Sequence, residues 1–296
     1  MAEITASMVK ELRECTGAGM MQCKKALSEA DGDLNTAIDI LRTHGLAQLA
    51  KKAGRATNEG TIAAFVSDDM KIGVLVEVNS ETDFVGRNAE FTSFAAELAV
   101  HIAEEAPTDV EHLLTQAIAS HGITVAELFG EKVSKLGENM GVARFVREGV
   151  TGNGAVATYI HGAGKIGVIA TFAFEKPETA SAPAFKTFAR DVAMQVAASQ
   201  PLVANRDAVP AEDVAHELSI YKAQAAESGK PEMIQAKIAE GRIEKYYKEV
   251  VLVEQVFVKN PDITVAQYAA ETGKALGDTL SVVGFERFVL GETSAE

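Results

Sequence analysis

The sequence feature that most constrains the fold is an internal repeat, visible at an offset of 94 positions, the separation of Lys71 from Lys165. At this offset Lys71-Ile-Gly-Val74 lies on Lys165-Ile-Gly-Val168 without a gap. Self-similarity at a fixed period indicates repeated structural units. We predict a duplication in which residues 58–107 and 152–201 each form a hairpin, a loop and a helix. The other matched pairs are Gly60/Gly154, Phe91/Phe185, Phe94-Ala95/Phe188-Ala189, Leu98/Val192, Ile102-Ala103/Val196-Ala197 and Pro107/Pro201.

The two copies differ in the segment that follows their second strand. In the first copy, residues 72–78 have the composition of a buried strand, and a helical pattern covers residues 91–105. Between them, Glu81-Thr-Asp-Phe84 aligns with Glu175-Lys-Pro-Glu178, which has no aromatic residue. Such a connection lies at the surface, where a Phe either folds back onto its own helix as a local plug or contacts another molecule. The loop specific to the first copy is therefore the better candidate for function.

Residues 1 to about 45 carry the pattern of three short helices. The third repeats apolar residues at the spacing of one buried helical face, and we predict that it ends at His44-Gly45. The only cysteines, Cys15 and Cys23, are predicted to be buried thiols on two packed helices. Three helices in so few residues predict a small bundle of the ubiquitin-associated type, a kind of module that usually binds partners.

The C-terminal part predicts an insertion within the second copy. Residues 211–226 and 231–249 form two amphipathic patterns joined by Ser228-Gly229-Lys230, which favours a projecting antiparallel helical hairpin. A strand-like return over residues 250–257 precedes a helix, and residues 280–290 alternate as a last strand that closes the sheet; the tail from Gly291 is expected to fray.

The predicted fold class is α+β, with a duplicated core, antiparallel sheets, the helical module and the projecting hairpin. We predict a ubiquitin-associated-like helical module over residues 1–54 and a first core subdomain over residues 55–151. A second core subdomain covers residues 152–296, with the hairpin inserted at about 205–250.

Composition and motif searches exclude several function classes. A formal net charge of −14 argues against direct nucleic-acid binding, which usually depends on clustered Lys and Arg. A signal peptide and an apolar run of about 18 residues are both lacking, so we expect a cytoplasmic protein without membrane contact. The histidines show no i, i+4 metal pair, and Gly164-Lys165 lacks the other residues of a phosphate-binding loop. We expect no enzyme activity, cofactor or metal site.

Two motifs resemble the elongation factor Ts family, the nucleotide exchange factors of the GTPase elongation factor Tu. They are Thr82-Asp83-Phe84-Val85 and Thr16-Gly-Ala-Gly-Met-Met-Gln-Cys-Lys-Lys-Ala-Leu27, although the family usually has Cys where this chain has Ser80. The resemblance implies elongation factor Tu as partner and leaves open whether two heterodimers pair through the hairpin. The partner-binding residues that it implies are Thr82, Asp83, Phe84, Val85, Lys24, Leu136, Gly137, His161 and Val258.

The resemblance also implies a mechanism of guanine-nucleotide exchange. Phe84 would enter an apolar cleft beside the partner's Mg²⁺ and β-phosphate site, Asp83 would interact close by, and loss of Mg²⁺ would speed GDP release. The residues alone leave two other classes open. One is a scaffold or adaptor that binds a protein without affecting its ligand, and the other, least favoured, is a hydrolase that uses carboxylates. Release of a fluorescent GDP analogue would separate exchange from scaffolding.

Overall fold

The computed structural model describes residues 4–227 and 229–292 and combines α-helices with antiparallel sheets. The mixed α and β class with antiparallel sheets is therefore confirmed. Three parts of the predictions lie outside the described residues: residues 1–3 of the helical module, Ser228 of the hairpin connection, and residues 293–296 of the tail.

The N-terminal module consists of three helices that share one small core. Thr5 caps the first helix and Asp33 caps the third, each by accepting a hydrogen bond from a backbone N–H three residues later. The helices are α1 (Ala6–Thr16), α2 (Met20–Glu29) and α3 (Leu34–Lys52). Their buried residues are Val9, Leu12, Ala18, Cys23, Ala26, Leu27, Ala30 and Ala37.

The predicted end of α3 at His44-Gly45 is wrong, because the helix continues to Lys52. Gly45 faces Gly130 of a later helix, and a Cβ atom at Gly45 would lie 2.9 Å from the Gly130 backbone. The missing side chain therefore allows two helices to cross closely, a role that local sequence cannot separate from that of a helix stop.

The prediction of two buried thiols is half wrong. Cys23 is buried, and burial raises the pKa of its thiol. Cys15 is exposed, since α1 buries only Val9 and Leu12.

The first unit, residues 59–149, is a three-stranded sheet covered on one face by helices. Its strand order is β1-β2-β5, and both strand pairs are antiparallel. The elements are β1 (Glu59–Val66), β2 (Ile72–Ser80), α4 (Asp83–Gly86), α5 (Ala89–Glu105), α6 (Val110–Thr115), β3 (Ala117–Ile118), β4 (Ile123–Thr124), α7 (Val125–Leu136) and β5 (Met140–Gly149).

The second unit, residues 154–289, has a sheet of the same kind and a helical insertion. Its strand order is β6-β7-β10, and again both pairs are antiparallel. Short 3-10 helices cover Pro177–Ser181, Arg206–Ala208 and Leu252–Glu254. The other elements are β6 (Gly154–His161), β7 (Ile166–Ala173), α8 (Pro183–Ser199), α9 (Ala211–Ala226), α10 (Glu232–Val250), β8 (Val256–Phe257), β9 (Asn260–Thr264), α11 (Val265–Leu276) and β10 (Ser281–Val289).

Elements of the two units correspond by position along the chain. The bounds of α5 and α8 differ by 94 at both ends, and β2 and β7 begin 94 positions apart. After the insertion the separation grows to 140, which relates both ends of α7 and α11. Phe91 and Phe185 occupy the same position of α5 and α8, and both are fully buried.

The two long sheets pack face to face. Gly73 and Gly167 lie at the contact, where a Cβ atom would come within 2.4 Å of Val156 and 2.5 Å of Ile62, respectively. Both strands thus approach the facing sheet more closely than a side chain would allow. The buried residues between the sheets are Ile62, Leu75, Val156, Ile169 and Phe288.

The predicted strand over residues 250–257 is wrong for most of its length. Val250 ends α10, Leu252–Glu254 is a 3-10 helix, and only Val256–Phe257 is a strand. The backbone of this segment bonds instead to the chain that leaves α8: the Leu252 N–H donates to Val203 O at 2.9 Å. A strand and an irregular segment such as residues 250–257 can share a β-branched composition, so only their hydrogen-bond partners distinguish them.

The helical hairpin consists of α9 and α10, which pack on each other. The apolar pattern of residues 231–249 predicts that Met233, Ile234, Ile238 and Ile243 face the first helix of the hairpin. Ile243 is buried as predicted, whereas the prediction is wrong for Met233 and Ile234, which are exposed. Where α10 meets the second unit, Arg206 bonds to Glu244 at 2.9 Å and to Glu254 at 2.6 Å. The base of the hairpin is thus fixed while its far end is solvated.

Candidate functional site

The turn after β2 exposes a large apolar side chain. Thr82 caps α4, its Oγ1 accepting from the Val85 N–H at 3.4 Å, and Val85 is buried in the core of the first unit. Because α4 is a single turn, burial of Val85 leaves Phe84 facing solvent, and Phe84 is 84% exposed. The alternative in which Phe84 is a local plug is therefore wrong. We call residues 81–87 the Phe84 turn.

Beside the ring lies an accessible carboxylate. Asp83 Oδ2 is 3.1 Å from an Arg87 guanidinium nitrogen, and the side chain of Asp83 is 41% exposed. A solvated pair of this kind contributes little to stability. Asp83 can therefore leave Arg87 for a donor on another molecule at low cost.

The Phe84 turn is held by the segment that joins α7 to β5. Glu138 accepts twice from Thr82, at 3.0 Å from its N–H and at 2.6 Å from its hydroxyl. A second contact has its acid on the Phe84 turn: Glu81 accepts from the Asn139 N–H at 2.6 Å. Arg55 lies 3.2 Å from the same carboxylate. The Asn139 hydrogen bond and the Arg55 charge lower the pKa of Glu81. Sequence reasoning missed Glu138, although an acid directly after a helix-ending Gly was a usable signal.

Leu136 and Gly137 lie next to this segment. Leu136 is the half-buried last residue of α7, and Gly137 ends the helix in a left-handed conformation with φ of 80°. The Gly137 carbonyl accepts from the Lys52 ammonium at the end of α3. Through Glu138, two predicted site segments, residues 82–85 and 136–137, are thus brought together.

The tip of the second hairpin, which joins β6 to β7, lies on the other side of the Phe84 turn. A cavity of about 230 Å³ lies between them, lined by Gly60, Asp83, Arg87, Gly162, Ala163 and Lys165. The hairpin is fixed in this position because the Ile62 N–H donates to Gly164 O at 2.8 Å. His161 is exposed at the end of β6, and its Nδ1 lies 3.1 Å from the Tyr159 hydroxyl.

Lys24 belongs to the N-terminal module and is exposed on α2. It borders an open cavity of about 690 Å³ together with Lys10 and Arg13 of α1. Two methionines at the same rim, Met20 and Met21, are 60% and 75% exposed. Met20 and Met21 were not singled out from sequence, and their place beside Lys24 adds an apolar component to this surface.

Val258 lies in the second unit, in the turn between β8 and β9. Its side chain is 47% exposed, and its N–H donates to Gln195 Oε1 at 2.8 Å. Gln195 is fully buried, and its amide nitrogen also donates to Val256 O at 3.1 Å. The contacts of this turn are thus with α8 and not with the Phe84 turn.

Within residues 4–227 and 229–292, no group of three or more His, Cys, Asp or Glu side chains is arranged to hold a metal ion. Over the same ranges, no helix combines the length and apolar character needed to cross a membrane.

Known proteins that match this chain are translation elongation factors. A family model described as "Elongation factor TS" matches residues 81–292, which include the Phe84 turn. Elongation factor Ts of Clostridioides difficile is 48% identical over 292 residues, 99% of this chain and 94% of that protein. The relative from Trichlorobacter lovleyi is 46% identical and that from Clostridium kluyveri 47%, each over 98% of this chain and 93% of the relative. The chain belongs to the elongation factor Ts family, so the resemblance stated from its motifs is confirmed.

Proposed function

We propose that this protein is a guanine-nucleotide exchange factor for elongation factor Tu. The single observation that supports this most is the 84% exposure of Phe84 on a turn whose backbone is fixed by its neighbours. Leaving an aromatic ring of this size in water forgoes roughly 2–3 kcal/mol of burial. A partner that covers the ring recovers this free energy in the complex.

The exchange mechanism follows from linkage. A factor that binds the nucleotide-free GTPase more tightly than the GDP-bound form weakens GDP binding by the same factor. In our proposal Phe84 enters an apolar cleft beside the Mg²⁺ and β-phosphate site of the partner, with the Asp83 carboxylate nearby. Displacing Mg²⁺ removes the charge that neutralises the phosphates, and GDP leaves faster.

The other proposed contacts surround the Phe84 turn at different distances. Leu136 and Gly137 adjoin it through Glu138. His161 directly precedes Gly162, which lines the cavity beside the Phe84 turn. Lys24 on the N-terminal module and Val258 on the second unit would hold the partner at two further points. The product is a heterodimer, and if two heterodimers pair, the α9–α10 hairpin is the candidate contact.

This function requires no bond making by the chain itself. We propose that the protein is not an enzyme in that sense, needs no cofactor, binds no nucleic acid directly and acts in the cytoplasm. The net charge of −14 supports a protein partner over nucleic acid.

We further propose that the two units arose by duplication and that the chain has three domains. The common 94-position separation of α5 from α8, and the 140-position separation of α7 from α11, support a shared ancestral unit with the hairpin inserted later. The domains would be residues 1–54, 55–151 and 152–296, and the first would be of the ubiquitin-associated type.

The test is release of a fluorescent GDP analogue from elongation factor Tu in the presence of catalytic amounts of this protein. We expect the wild type to accelerate release and Phe84→Ala to slow it about ten- to a hundredfold, since most of the lost burial acts in the exchange-competent complex. The thermal midpoint of Phe84→Ala should equal that of the wild type. Binding of elongation factor Tu without accelerated release would instead identify a scaffold or adaptor.

A further inference from the structure

Both carboxylate oxygens of Glu138 accept hydrogen bonds from one residue, Thr82. Its Oε2 accepts from the Thr82 N–H at 3.0 Å and its Oε1 from the Thr82 hydroxyl at 2.6 Å. The same hydroxyl oxygen accepts from the Val85 N–H and so caps α4. Glu138 therefore fixes both the backbone and the rotamer of the residue that starts the helical turn, two residues before the exposed ring of Phe84.

The second unit contains a similar arrangement at the corresponding positions. Asp278 follows Gly277, which ends α11 in a left-handed conformation, as Glu138 follows Gly137. Its carboxylate accepts from the Lys176 N–H at 3.1 Å and from the Glu175 N–H at 2.9 Å. Lys176 is the counterpart of Thr82 at the 94-position offset, and Asp278 is the counterpart of Glu138 at the 140-position offset. An acid in this position is thus part of how each unit holds the turn after its central strand.

What differs is the side chain that each turn presents to solvent. Thr179, the counterpart of Val85, is buried like Val85 and donates its hydroxyl to Asp278. The outward positions are Phe84 in the first unit and Glu178 in the second, both exposed. The acid therefore supports an exposed aromatic ring in one unit only.

We propose that Glu138 is a positioning residue for nucleotide exchange, which holds the α4 turn so that Phe84 meets the partner in one orientation. The proposal rests on the exchange function proposed above. Glu138 acts through Thr82 and not by contact with the partner. A loosened turn would sample several ring orientations, and ordering them on binding would cost conformational entropy that the fixed turn has already lost on folding.

The experiment compares Glu138→Ala with Asp278→Ala, a matched control that removes the equivalent acid from the turn without an exposed aromatic. The melting temperature of each variant is measured first. Release of the fluorescent GDP analogue is then followed at a temperature well below every melting transition and at saturating concentrations of the factor. Glu138→Gln, which keeps one acceptor oxygen, serves if Glu138→Ala does not fold. Each Glu138 variant is also combined with Phe84→Ala.

We expect Glu138→Ala to lower the maximal release rate about tenfold and Glu138→Gln to lower it less, because a loosened turn must be ordered again in the exchange-competent complex. Asp278→Ala should stay within about twofold of the wild type. In the Phe84→Ala background, Glu138→Ala should have a much smaller effect, since the ring is gone and only Asp83 of the turn remains to be positioned. Equal effects of the two acid variants, or independent effects of Glu138→Ala and Phe84→Ala, would overturn the proposal.

Hydrogen exchange separates this proposal from the exchange function itself. Glu138→Ala in the isolated protein should speed exchange of the amides of residues 83–87 more than Asp278→Ala does, because only the former releases the α4 turn. If the wild type does not accelerate GDP release, the proposed function fails while this measurement still tests the turn. Unchanged amide protection in Glu138→Ala would exclude a positioning role whatever the release assay shows.

Discussion

After the central strand of the first unit the chain makes a helical turn that exposes Phe84, whereas after the central strand of the second unit it makes a 3-10 turn that exposes Glu178. Both turns bury the next residue, Val85 or Thr179, and both are held by an acid that follows a helix-ending Gly. A charged residue is the expected occupant of such an exposed position. The backbone of the turn therefore belongs to the scaffold, and the aromatic side chain is the addition that needs a function.

Truncation of the core phenylalanines should give the largest losses of stability, and the loss should be similar in the two units. Phe185 is fully buried, with ring centroids 5.7 Å from Phe172 and 5.3 Å from Phe174. We expect Phe91→Ala and Phe185→Ala each to lower the free energy of unfolding by about 3–5 kcal/mol, as large cavities in cores do. Thermal or urea unfolding measures this, with Phe84→Ala as the exposed control. If Phe84→Ala melts as early as Phe185→Ala, the contrast between core and turn is lost.

Exchanging the outward side chains tests whether the two turns differ only in what they present. Phe84→Glu should slow GDP release from elongation factor Tu about tenfold or more, because it replaces the ring that the partner covers by a charge that must be desolvated. Glu178→Phe, the reverse change in the second unit, should alter the rate by less than about twofold. Stopped-flow release of the fluorescent GDP analogue measures both. If adding Glu178→Phe to a Phe84→Glu variant restored the rate of GDP release, the second turn would also reach the partner.

Acid should weaken the second turn over a defined pH range. Partial burial opposes ionisation of Asp278, but hydrogen bonds from Thr179 and from the N–H groups of Glu175, Thr279 and Lys176 lower its pKa to about 2. A lowered pKa in the folded state means that the stabilisation is complete above the ordinary value near 3.8 and is lost as the pH falls towards about 2. Asp278→Asn should therefore melt below the wild type at pH 6, and the two melting temperatures should converge near pH 2. A constant difference across this range would show that the charge of Asp278 does not hold the turn.

Removing the insertion should have only a small effect on exchange and should make the second unit resemble the first more closely. Replacing residues 211–243 by a short linker keeps Glu244 and its contact with Arg206. We expect the main thermal transition to persist and the GDP release rate to stay within about threefold of the wild type, since insertions outside a core are tolerated. Loss of the main transition would show that the far part of the hairpin belongs to the core of the second unit.

Much of the scaffold could be predicted because it repeats a pattern along the chain. The matched phenylalanines at positions 91 and 185 predicted two equivalent helices, and both residues are buried in them. The Phe84 turn was also found from the sequence, since its aromatic residue has no counterpart in the second copy. The roles of Lys24, His161 and Val258 in partner binding stay predictions, because no contact between distant surfaces and a partner can be read from the chain alone.

Periodicity, composition and local turn chemistry could be read from the amino-acid sequence, because they depend on residues near one another in the chain. The role of Gly45 became visible only in the fold, because its effect on α3 comes from the backbone of Gly130, far along the sequence. The fold also decided the partners of Glu138 and Asp278, which bond to turns 56 and 102 positions away at Thr82 and Lys176. A carboxylate in a loop accepts from whichever N–H group folding brings within reach, so its role is set by packing between elements and not by its neighbours in sequence.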